Sequence, residues 1–228
     1  MKVIAVIPAW NEETRIKQTI LAVRPYVDGM VIIDDGSADE TAKAAQTGDA
    51  SVVVLRHSLN RGQGAGLRTG TEAALRLGAD IVVHVDADGQ HDPSFIPTLV
   101  APIKEGKADV VFGSRFLGET PEGMPASRRV LLHAARTFNA IAVGIPRKVT
   151  DPASGMRAFT AAAAREIDFR QDRFAHASEI LRLVTHSKLR WKEVPVRVRY
   201  TAESLAKGQK SLDALKIAWE LFLGAFIQ

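Results

Sequence analysis

Two aspartates spaced two residues apart, Asp86 and Asp88, form the part of this sequence best suited to chemistry. Alternate residues of an extended chain point to the same side, so this spacing brings two carboxylates close together. Such a pair favours a divalent cation, and Gln90, two residues further on, adds a carbonyl oxygen. The sequence therefore predicts an Mg²⁺ or Mn²⁺ site on these three residues. The alternative is a solvated turn that caps the helix predicted after Pro93.

Polar residues also follow two earlier apolar runs, at residues 8–13 and 34–39. A carboxylate after a strand of a nucleotide-binding sheet accepts hydrogen bonds from a nucleobase or a ribose hydroxyl. We therefore expect a nucleotide near a carboxylate of residues 34–39, in a groove that residues 8–13 also line. The alternatives are a helix cap at Ser37 or Asp39 and, for Trp10, a core position.

The glycine-rich segment Asn60-Arg61-Gly62-Gln63-Gly64-Ala65-Gly66-Leu67 argues against two common nucleotide-binding classes. Read from Gly62, a G-x-G-x-x-G fingerprint would end on Leu67, and the segment follows the third apolar run rather than the first. It also lacks the Gly-Lys-Ser/Thr ending of a phosphate-binding ATPase loop. Neither a dehydrogenase nor such an ATPase is expected.

These side chains can act together only if the strands that they follow end at the same edge of a sheet. Short β-branched runs alternate with helical patterns, which is the rhythm of βαβ units. The runs are apolar on both faces, so they predict buried strands of a mostly parallel sheet in a three-layer α/β/α fold. Ligands of such sheets bind at the carboxyl ends of the strands. The predicted strands are Val3 to Ile7, Met30 to Ile33, Ser51 to Leu55, Ile81 to Val85 and Asp109 to Phe112.

Helices are predicted between the strands and after them. The first has Ile16, Ile20 and Val23 on one face, with Glu12 and Glu13 in its first turn. Turn formers at residues 118–125 predict a loop near the active site. The other predicted elements are a helix from Gly64 to Leu77 capped by Gly78, helices from Arg128 to Val143 and from His176 to His186, a turn from Asp151 to Gly155, and a strand from Trp191 to Tyr200 interrupted by Pro195.

Composition narrows the function classes. The 228 residues carry a net charge of +4, with 46% hydrophobic and 25% charged residues, which predicts one folded domain. Cysteine is absent, so disulfides, thiolate metal sites and cysteine nucleophiles are excluded, in agreement with a cytoplasmic location. The basic residues are scattered and aromatic residues make up 6%, so no nucleic-acid partner is expected.

Residues 210–228 predict a C-terminal amphipathic helix. One interpretation packs it on the core; the other docks it on a membrane surface or a membrane-protein partner, and the same face would serve an oligomer. No run reaches the roughly 18 apolar residues of a membrane-spanning helix. We therefore expect a cytoplasmic protein able to attach peripherally to the cytoplasmic face of a membrane. The apolar face carries Leu212, Leu215, Trp219, Phe222 and Phe226.

Several motifs together give the sequence a family resemblance. They are Ile7-Pro8-Ala9-Trp10-Asn11-Glu12, Asp34-Asp35-Gly36-Ser37, Asn60-Arg61-Gly62-Gln63-Gly64, Asp86-Ala87-Asp88-Gly89-Gln90 and Gly113-Ser114-Arg115, continued by Asp151-Pro152-Ala153-Ser154-Gly155-Met156-Arg157. The chain resembles family 2 glycosyltransferases of the GT-A (Rossmann-like) fold, and among them the dolichyl-phosphate mannose synthase and polyprenyl-phosphate glycosyltransferase branch. The resemblance implies a metal-dependent, inverting hexosyltransferase that uses a nucleotide diphosphate sugar of the GDP-mannose or UDP-glucose type.

The resemblance also implies roles for individual residues. The residues implied to hold the nucleoside are Pro8, Trp10, Glu12 and Asp35. Those implied to hold the metal on the donor diphosphate are Asp86, Asp88 and Gln90. Those implied to lie near the phosphates or the sugar are Arg115, Arg199 and Lys207. We expect a nucleotide-sugar-binding part over residues 1–115, an acceptor side over 116–209 and the terminal helix over 210–228.

The acceptor decides whether a general base is needed. A lipid phosphate with a second pKa near ~6 is largely ionised at neutral pH, so a polyprenyl or dolichyl phosphate needs no strong base. A sugar hydroxyl, as in cell-surface polysaccharide synthesis, needs one, and Asp151 and Asp92 are the candidates. Arg128, Arg129 and Arg157 are candidates for attracting an acceptor phosphate.

Two further classes stay open on the sequence alone. A nucleotidyltransferase shares the sheet and the metal, but it carries a glycine-rich phosphate loop after its first strand, whereas residues 8–13 contain no glycine. A non-catalytic nucleotide-sugar sensor would bind the donor without turnover and would not need the full set of metal ligands.

Overall fold

The computed structural model describes residues 1–118, 132, 136–137, 140–141, 144–173 and 175–198. Several predicted features therefore lie outside the described residues. These are most of the loop over 118–125, most of the helix over 128–143, the terminal helix, and the side chains of Arg128, Arg129, Arg199 and Lys207.

A seven-stranded sheet forms the centre of the described part. Its strands are β1 (Val3–Ala9), β2 (Gly29–Asp34), β3 (Val52–Arg56), β4 (Ile81–His84), β5 (Val110–Ser114), β6 (Arg157–Thr160) and β7 (Trp191–Pro195). The strand order is β3-β2-β1-β4-β6-β5-β7. Only β6 runs antiparallel to its neighbours, so the mostly parallel sheet is confirmed.

The strands form where apolar, largely β-branched runs can be buried on both faces. β1 and β2, in the interior of the sheet, are buried along their whole length. β3 is only half-buried because it lies at the edge. The first five strands predicted from sequence are all confirmed, with ends that differ by up to two residues. The sixth, predicted from Trp191 to Tyr200, is confirmed as β7 but ends at Pro195, the residue predicted to interrupt it.

Helices cover both faces of the sheet and complete the three-layer fold. They are α1 (Ile16–Val23), α2 (Thr41–Ala45), α3 (Gln63–Arg76), α4 (Ile96–Lys104), α5 (Ala161–Glu166) and α6 (His176–His186), with 3₁₀ turns at Arg24–Tyr26 and Pro93–Phe95. α1 and α4 pack in one core, and α3, α5 and α6 pack in the other, on the opposite face. The prediction of Glu12 and Glu13 in the first turn of α1 is wrong, because the helix begins after them, at Ile16.

The antiparallel strand β6 was not predicted from the sequence, and neither was α5, which follows it. The strand is four residues long, Arg-Ala-Phe-Thr, which is too short for alternation to stand out. Its first residue, Arg157, pairs with His84 near the end of β4 and with Phe112 on β5. The start of β6 therefore lies at the same edge of the sheet as the ends of the parallel strands.

Candidate functional site

Asp86 and Asp88 lie just beyond the end of β4, at the carboxyl edge of the sheet. Gln63, the first residue of α3, donates its Nε2 to Asp86 Oδ1 over 2.7 Å, and His91 Nε2 lies 3.3 Å from Asp86 Oδ2. Asp88 accepts two hydrogen bonds from Gln90, one from its backbone N over 2.9 Å and one from its Nε2 over 2.6 Å. Gln90 thus presents its amide nitrogen to Asp88, and its oxygen would face the same point only after rotation of the amide.

The two carboxylates have opposite electrostatic surroundings. Burial opposes ionisation of Asp86, but the hydrogen bond with His91 and the positive charges of His91 and Arg157 outweigh it and lower its pKa. Burial raises the pKa of Asp88, and the negative charge of Asp86 raises it further. Two carboxylates that repel each other in this way fit a divalent cation, which would relieve the repulsion.

The cation would need ligands beyond the protein. Among the residues that the structure describes, no three His, Asp or Glu side chains converge as a complete metal site. Two carboxylates suit a metal that also binds substrate phosphates and water, as Mg²⁺ commonly does. The donor set is therefore compatible with a metal held between the protein and a diphosphate.

Gly155 explains how Asp86 fits against the segment that precedes β6. A Cβ atom at this position would overlap the Asp86 carboxylate, so only glycine leaves room for it. Two residues later, Arg157 is buried, with 2% of its surface exposed, and its charge interacts with Asp86. The Asp151–Arg157 segment therefore packs directly on the metal-binding candidate.

The residues after β1 and β2 form the next part of the same edge. Pro8 and Asp35 are buried, Glu12 is half-buried, and Trp10 is 54% exposed, so Trp10 is not a core residue. Glu12 accepts a bond from Arg15 over 3.1 Å, and its own backbone N donates to Thr41 Oγ1 over 2.8 Å.

Asp35 is held by donors from the segment that follows β3. Its Oδ1 lies 2.7 Å from His57 Nδ1 and accepts a bond from Arg61 N over 3.1 Å, while its Oδ2 accepts from Gly62 N over 2.7 Å. His57 Nε2 in turn lies 3.0 Å from Thr69 Oγ1 on α3. The Asp35 carboxylate therefore organises the 57–62 segment.

Arg115 and Asp151 form a buried ion pair on the other side of the edge. Arg115 donates from its Nε over 2.6 Å and from its backbone N over 3.1 Å to Asp151 Oδ2, and from a terminal nitrogen to the carbonyl of Ala153 over 3.0 Å. The side chains are 8% and 1% exposed. Asp151 Oδ1 is also buried and has no hydrogen-bond partner.

Two further charged residues fix this region. Glu193 on β7 accepts bonds from the backbone N of Asp151 over 3.1 Å and from Thr150 N and Oγ1. Arg157 donates to the carbonyl of Ser154 over 2.8 Å, and its other terminal nitrogen is buried without a partner. Burial lowers the pKa of Arg157 to about 10, although the charges of Asp86 and Asp151 oppose that shift.

The structure thus brings most of the predicted residues to one edge. One end carries the residues predicted to hold the nucleoside, Pro8, Trp10, Glu12 and Asp35. The middle carries Asp86, Asp88 and Gln90, and the other end carries Arg115, Asp151 and Arg157. Sequence reasoning missed the contacts of Gln63, His91, Gly155 and Glu193. Gln63 lies inside the glycine-rich motif and His91 directly follows Gln90. Their positions in these motifs were the signal that could have identified both as site residues.

Comparison with known proteins agrees with this arrangement. The model of the family described as Glycosyl transferase family 2 matches residues 4–168. A Methanococcus voltae protein named UDP-N-acetylglucosamine--dolichyl-phosphate N-acetylglucosaminyltransferase is 32% identical over 96% of this chain and 94% of its own length. A Micrococcus luteus undecaprenyl-phosphate mannosyltransferase is 33% identical over 74% and 70%, respectively.

Solved structures show the same fold at lower identity. Glucosyl-3-phosphoglycerate synthase from Mycobacterium tuberculosis, crystallised with Mn²⁺, UDP and glucosyl-3-phosphoglycerate, superposes with a TM-score of 0.71 at 22% identity. The match covers 99% of this chain and 78% of that one. The neighbour supports the GT-A-like architecture of the described sheet. Within the described residues, no helix is long and apolar enough to cross a membrane.

Proposed function

Because the chain belongs to glycosyl transferase family 2, and is a glycosyltransferase, we propose that it moves a hexose from a nucleotide diphosphate sugar to a polyprenyl or dolichyl phosphate. Relatives named for dolichyl-phosphate and undecaprenyl-phosphate acceptors support the lipid phosphate. In this assignment, residues 1–115 bind the donor and the residues from 116 onward form the acceptor side. It also includes peripheral contact with the membrane that holds such a lipid.

The choice of a phosphate acceptor rests on the surroundings of the two candidate bases, Asp151 and Asp92. Asp151 is buried and ion-paired with Arg115, and a base in that state gives up an ion pair when it takes a proton. Asp92 Oδ1 accepts bonds from the backbone N and the Oγ of Ser94, at the start of a 3₁₀ turn. A phosphate acceptor needs neither of them, because it is largely ionised at neutral pH.

Asp86 and Asp88 would hold a divalent ion, either Mg²⁺ or Mn²⁺, on the donor diphosphate, with Gln90 as a further ligand after amide rotation. When bound, the ion would supply Lewis-acid neutralisation of the leaving group. The neighbour crystallised with Mn²⁺ and UDP supports this assignment. Gln63 and His91 keep Asp86 in place for that purpose.

The reaction then balances without proton transfer to the protein. An oxygen of the acceptor phosphate attacks the anomeric carbon from the face opposite the nucleotide and forms the new C–O bond. The bond from that carbon to the diphosphate oxygen breaks, and the nucleoside diphosphate leaves with the electron pair. The protein contributes by holding both phosphates in line and by stabilising the departing charge.

Transfer of labelled sugar tests the proposal. The donors are UDP-N-acetylglucosamine, UDP-glucose and GDP-mannose, each with Mg²⁺ or Mn²⁺. The acceptors are a polyprenyl phosphate and, as the matched control, the unphosphorylated polyprenol of the same length. We expect metal-dependent label in the organic phase with the phosphate only.

Other distributions of the label would redirect the assignment. Label in polyprenol, or in a sugar acceptor instead of either lipid, would favour a hydroxyl acceptor and restore Asp151 or Asp92 as the base. Donor binding without turnover under all conditions would favour a sensor.

A further inference from the structure

Two glycines of the glycine-rich segment lie against a distant part of the backbone. A Cβ at Gly62 would overlap the carbonyl oxygen of Asp172, and a Cβ at Gly64 would overlap that of Gln171. Gly62 also has a φ of +110°, a conformation that glycine adopts at little cost. The two glycines therefore allow residues 171 and 172 to lie directly on the start of α3.

Hydrogen bonds join the 170–172 segment to α3. The N-cap of this helix, Gly62, has no side chain that could accept from the N–H groups of the first turn. The carbonyl of Asp172 takes that place and accepts from Ala65 N over 3.1 Å. Three residues later, Arg68 donates to Asp172 Oδ1 over 2.6 Å. The 170–172 segment therefore caps α3 and fixes the position of its first turn.

Glu179, on α6, holds the 170–172 segment in place. Its two carboxylate oxygens each accept from Arg170 N over 3.0 Å, and one of them also accepts from Gln171 N over 2.8 Å. Hydrogen bonds to an ionised carboxylate are roughly twice as strong as those between neutral groups. A single side chain thus fixes the backbone of the two residues that precede Asp172.

The start of α3 also holds two carboxylates of the candidate site. Gln63, its first residue, donates from Nε2 to Asp86 Oδ1 over 2.7 Å. Directly before it, Gly62 N donates to Asp35 Oδ2 over 2.7 Å. A shift of the first turn of α3 would therefore move groups that hold Asp86 and Asp35.

We propose that Glu179 is a positioning residue for Asp86, the carboxylate assigned to the metal. Glu179 fixes the 170–172 segment, and that segment fixes the first turn of α3, where the Gln63 amide bonds Asp86. This rests on the proposed function, which supplies a metal at Asp86. Glu179 therefore changes metal affinity without touching the metal, and its effect requires Gln63.

A double-mutant cycle tests this chain of contacts. Dissociation constants for Mn²⁺ alone are measured from the electron paramagnetic resonance signal of the free ion, on wild type, Glu179→Ala, Gln63→Ala and the double variant. We expect Gln63→Ala to weaken Mn²⁺ binding about tenfold, the lower end of the loss when a group that orients a metal ligand is removed. Glu179→Ala should weaken it about fivefold, because the amide is displaced but not lost. The double variant should lose about tenfold rather than about fiftyfold, since Glu179 acts through Gln63.

Three further variants separate positioning from folding, and urea unfolding of each reports stability independently. Glu179→Gln keeps an acceptor oxygen at the same reach, so it should bind Mn²⁺ within about twofold of wild type. Glu72→Ala is the matched control, because it removes an exposed glutamate of α3 that pairs with Arg76, and it should have no effect. Arg68→Met loosens the same contact from the side of α3, with an expected loss of about threefold, and it replaces Glu179→Ala in the cycle if that variant does not fold.

The outcomes distinguish this inference from the metal site on which it rests. Losses that multiply in the double variant, or an equal loss in Glu179→Gln and Glu179→Ala, would overturn it. So would a Glu179→Ala protein of lowered stability with unchanged Mn²⁺ affinity. Each of these results includes Mn²⁺ binding by wild type and leaves the proposed metal site intact. Wild type that bound no Mn²⁺ would overturn that site and the inference together.

Discussion

The sheet edge has an end that we propose for the donor, with Asp35, Asp86 and Asp88, and an end that we propose for the acceptor, with Arg115 and Asp151. These donor and acceptor ends hold their carboxylates in different ways. At the donor end, Asp35 is held by two backbone N–H groups and His57, and Asp86 is held by the amide of Gln63 and by His91. At the acceptor end, Asp151 is paired with the guanidinium of Arg115 inside the protein.

This difference assigns the carboxylates of the donor end to ligand binding and the carboxylate of the acceptor end to stability. Burial and then repulsion by Asp86 raise the pKa of Asp88, so this end gains from a bound cation. Asp151 is already neutralised by a protein cation, so its charge serves the fold. Changes at the donor end should therefore reduce activity, and changes at the acceptor end should reduce stability.

Asp88→Asn tests the donor side with the largest expected effect. Loss of one carboxylate should weaken metal binding and lower the transfer rate about 10³-fold, since metal stabilisation of a leaving group contributes several kcal/mol. Stability at pH 7 should not fall, because the substitution removes a repelled charge. Labelled-sugar transfer, Mn²⁺ binding and urea unfolding measure the three quantities.

The control for this variant is Asp168→Asn, an exposed aspartate paired with Arg170 at the surface. It should leave all three quantities unchanged. Full activity of Asp88→Asn would show that the donor end does not depend on this carboxylate for transfer.

Gly155→Ala tests the contact between the two ends. The added Cβ overlaps the Asp86 carboxylate and must displace it, and misplacement by about 1 Å can cost on the order of 10²-fold in rate. We expect a loss of that size, with weaker Mn²⁺ binding. Gly29→Ala is the matched control, because its Cβ would meet its nearest neighbour, Ser51 O, at 3.4 Å. Equal effects of the two variants would show that Gly155 has no special relation to Asp86.

The donor end was largely predictable from sequence for a local reason. Trp10 and Asp35 directly follow strands and Asp86 follows one after a single residue, so the βαβ pattern placed them at one edge before any contact was known. Residues such as Gln63 could be placed near that edge, but not paired with Asp86, because 23 residues separate the two.

The acceptor end was less predictable because its partners are distant in the chain. Arg115 and Asp151 are 36 residues apart, and Glu193 lies 42 residues beyond Asp151. The antiparallel β6 brings Arg157 to the edge. This strand has four residues, which are too few for a periodic pattern to predict it. Sequence therefore suggested Arg115 for a phosphate or sugar and Asp151 for catalysis, without indicating that they bind each other.

Asp151→Asn tests the acceptor side through stability. The substitution keeps the shape of the side chain but removes the carboxylate charge that pairs with the buried Arg115, which should lower the free energy of unfolding by about 3 kcal/mol. Transfer per folded molecule should be retained. Asp109→Asn is the matched control, because its ion pair with Arg190 lies at the surface and should contribute little. A stable Asp151→Asn protein without transfer would instead identify Asp151 as a base.

The smallest effect comes from a histidine packed behind the site. Burial, reinforced by the charge of Arg157, lowers the pKa of His176 to about 4, and its Nδ1 donates to the carbonyl of Arg173 over 2.7 Å. The ordinary pKa of 6.5 applies in the unfolded chain, which therefore takes up a proton first as the pH falls. The stabilising contribution of neutral His176 is thus complete above pH 6.5 and is lost progressively down to about pH 4.

His176→Gln removes that titration. Between pH 6.5 and 5.5 the free energy of unfolding should fall more steeply for wild type than for the variant, by up to about 1 kcal/mol, since one proton contributes at most about 1.4 kcal/mol per pH unit. Urea unfolding at both pH values measures the difference. Parallel pH profiles for the two proteins would mean that His176 takes up its proton at the same pH in the folded and unfolded chains, which would place a positive charge beside Arg157 at pH 5.5. The donor and acceptor ends would then lie next to the same two positive charges, His176 and Arg157. Their electrostatic environments would differ less than the geometry indicates.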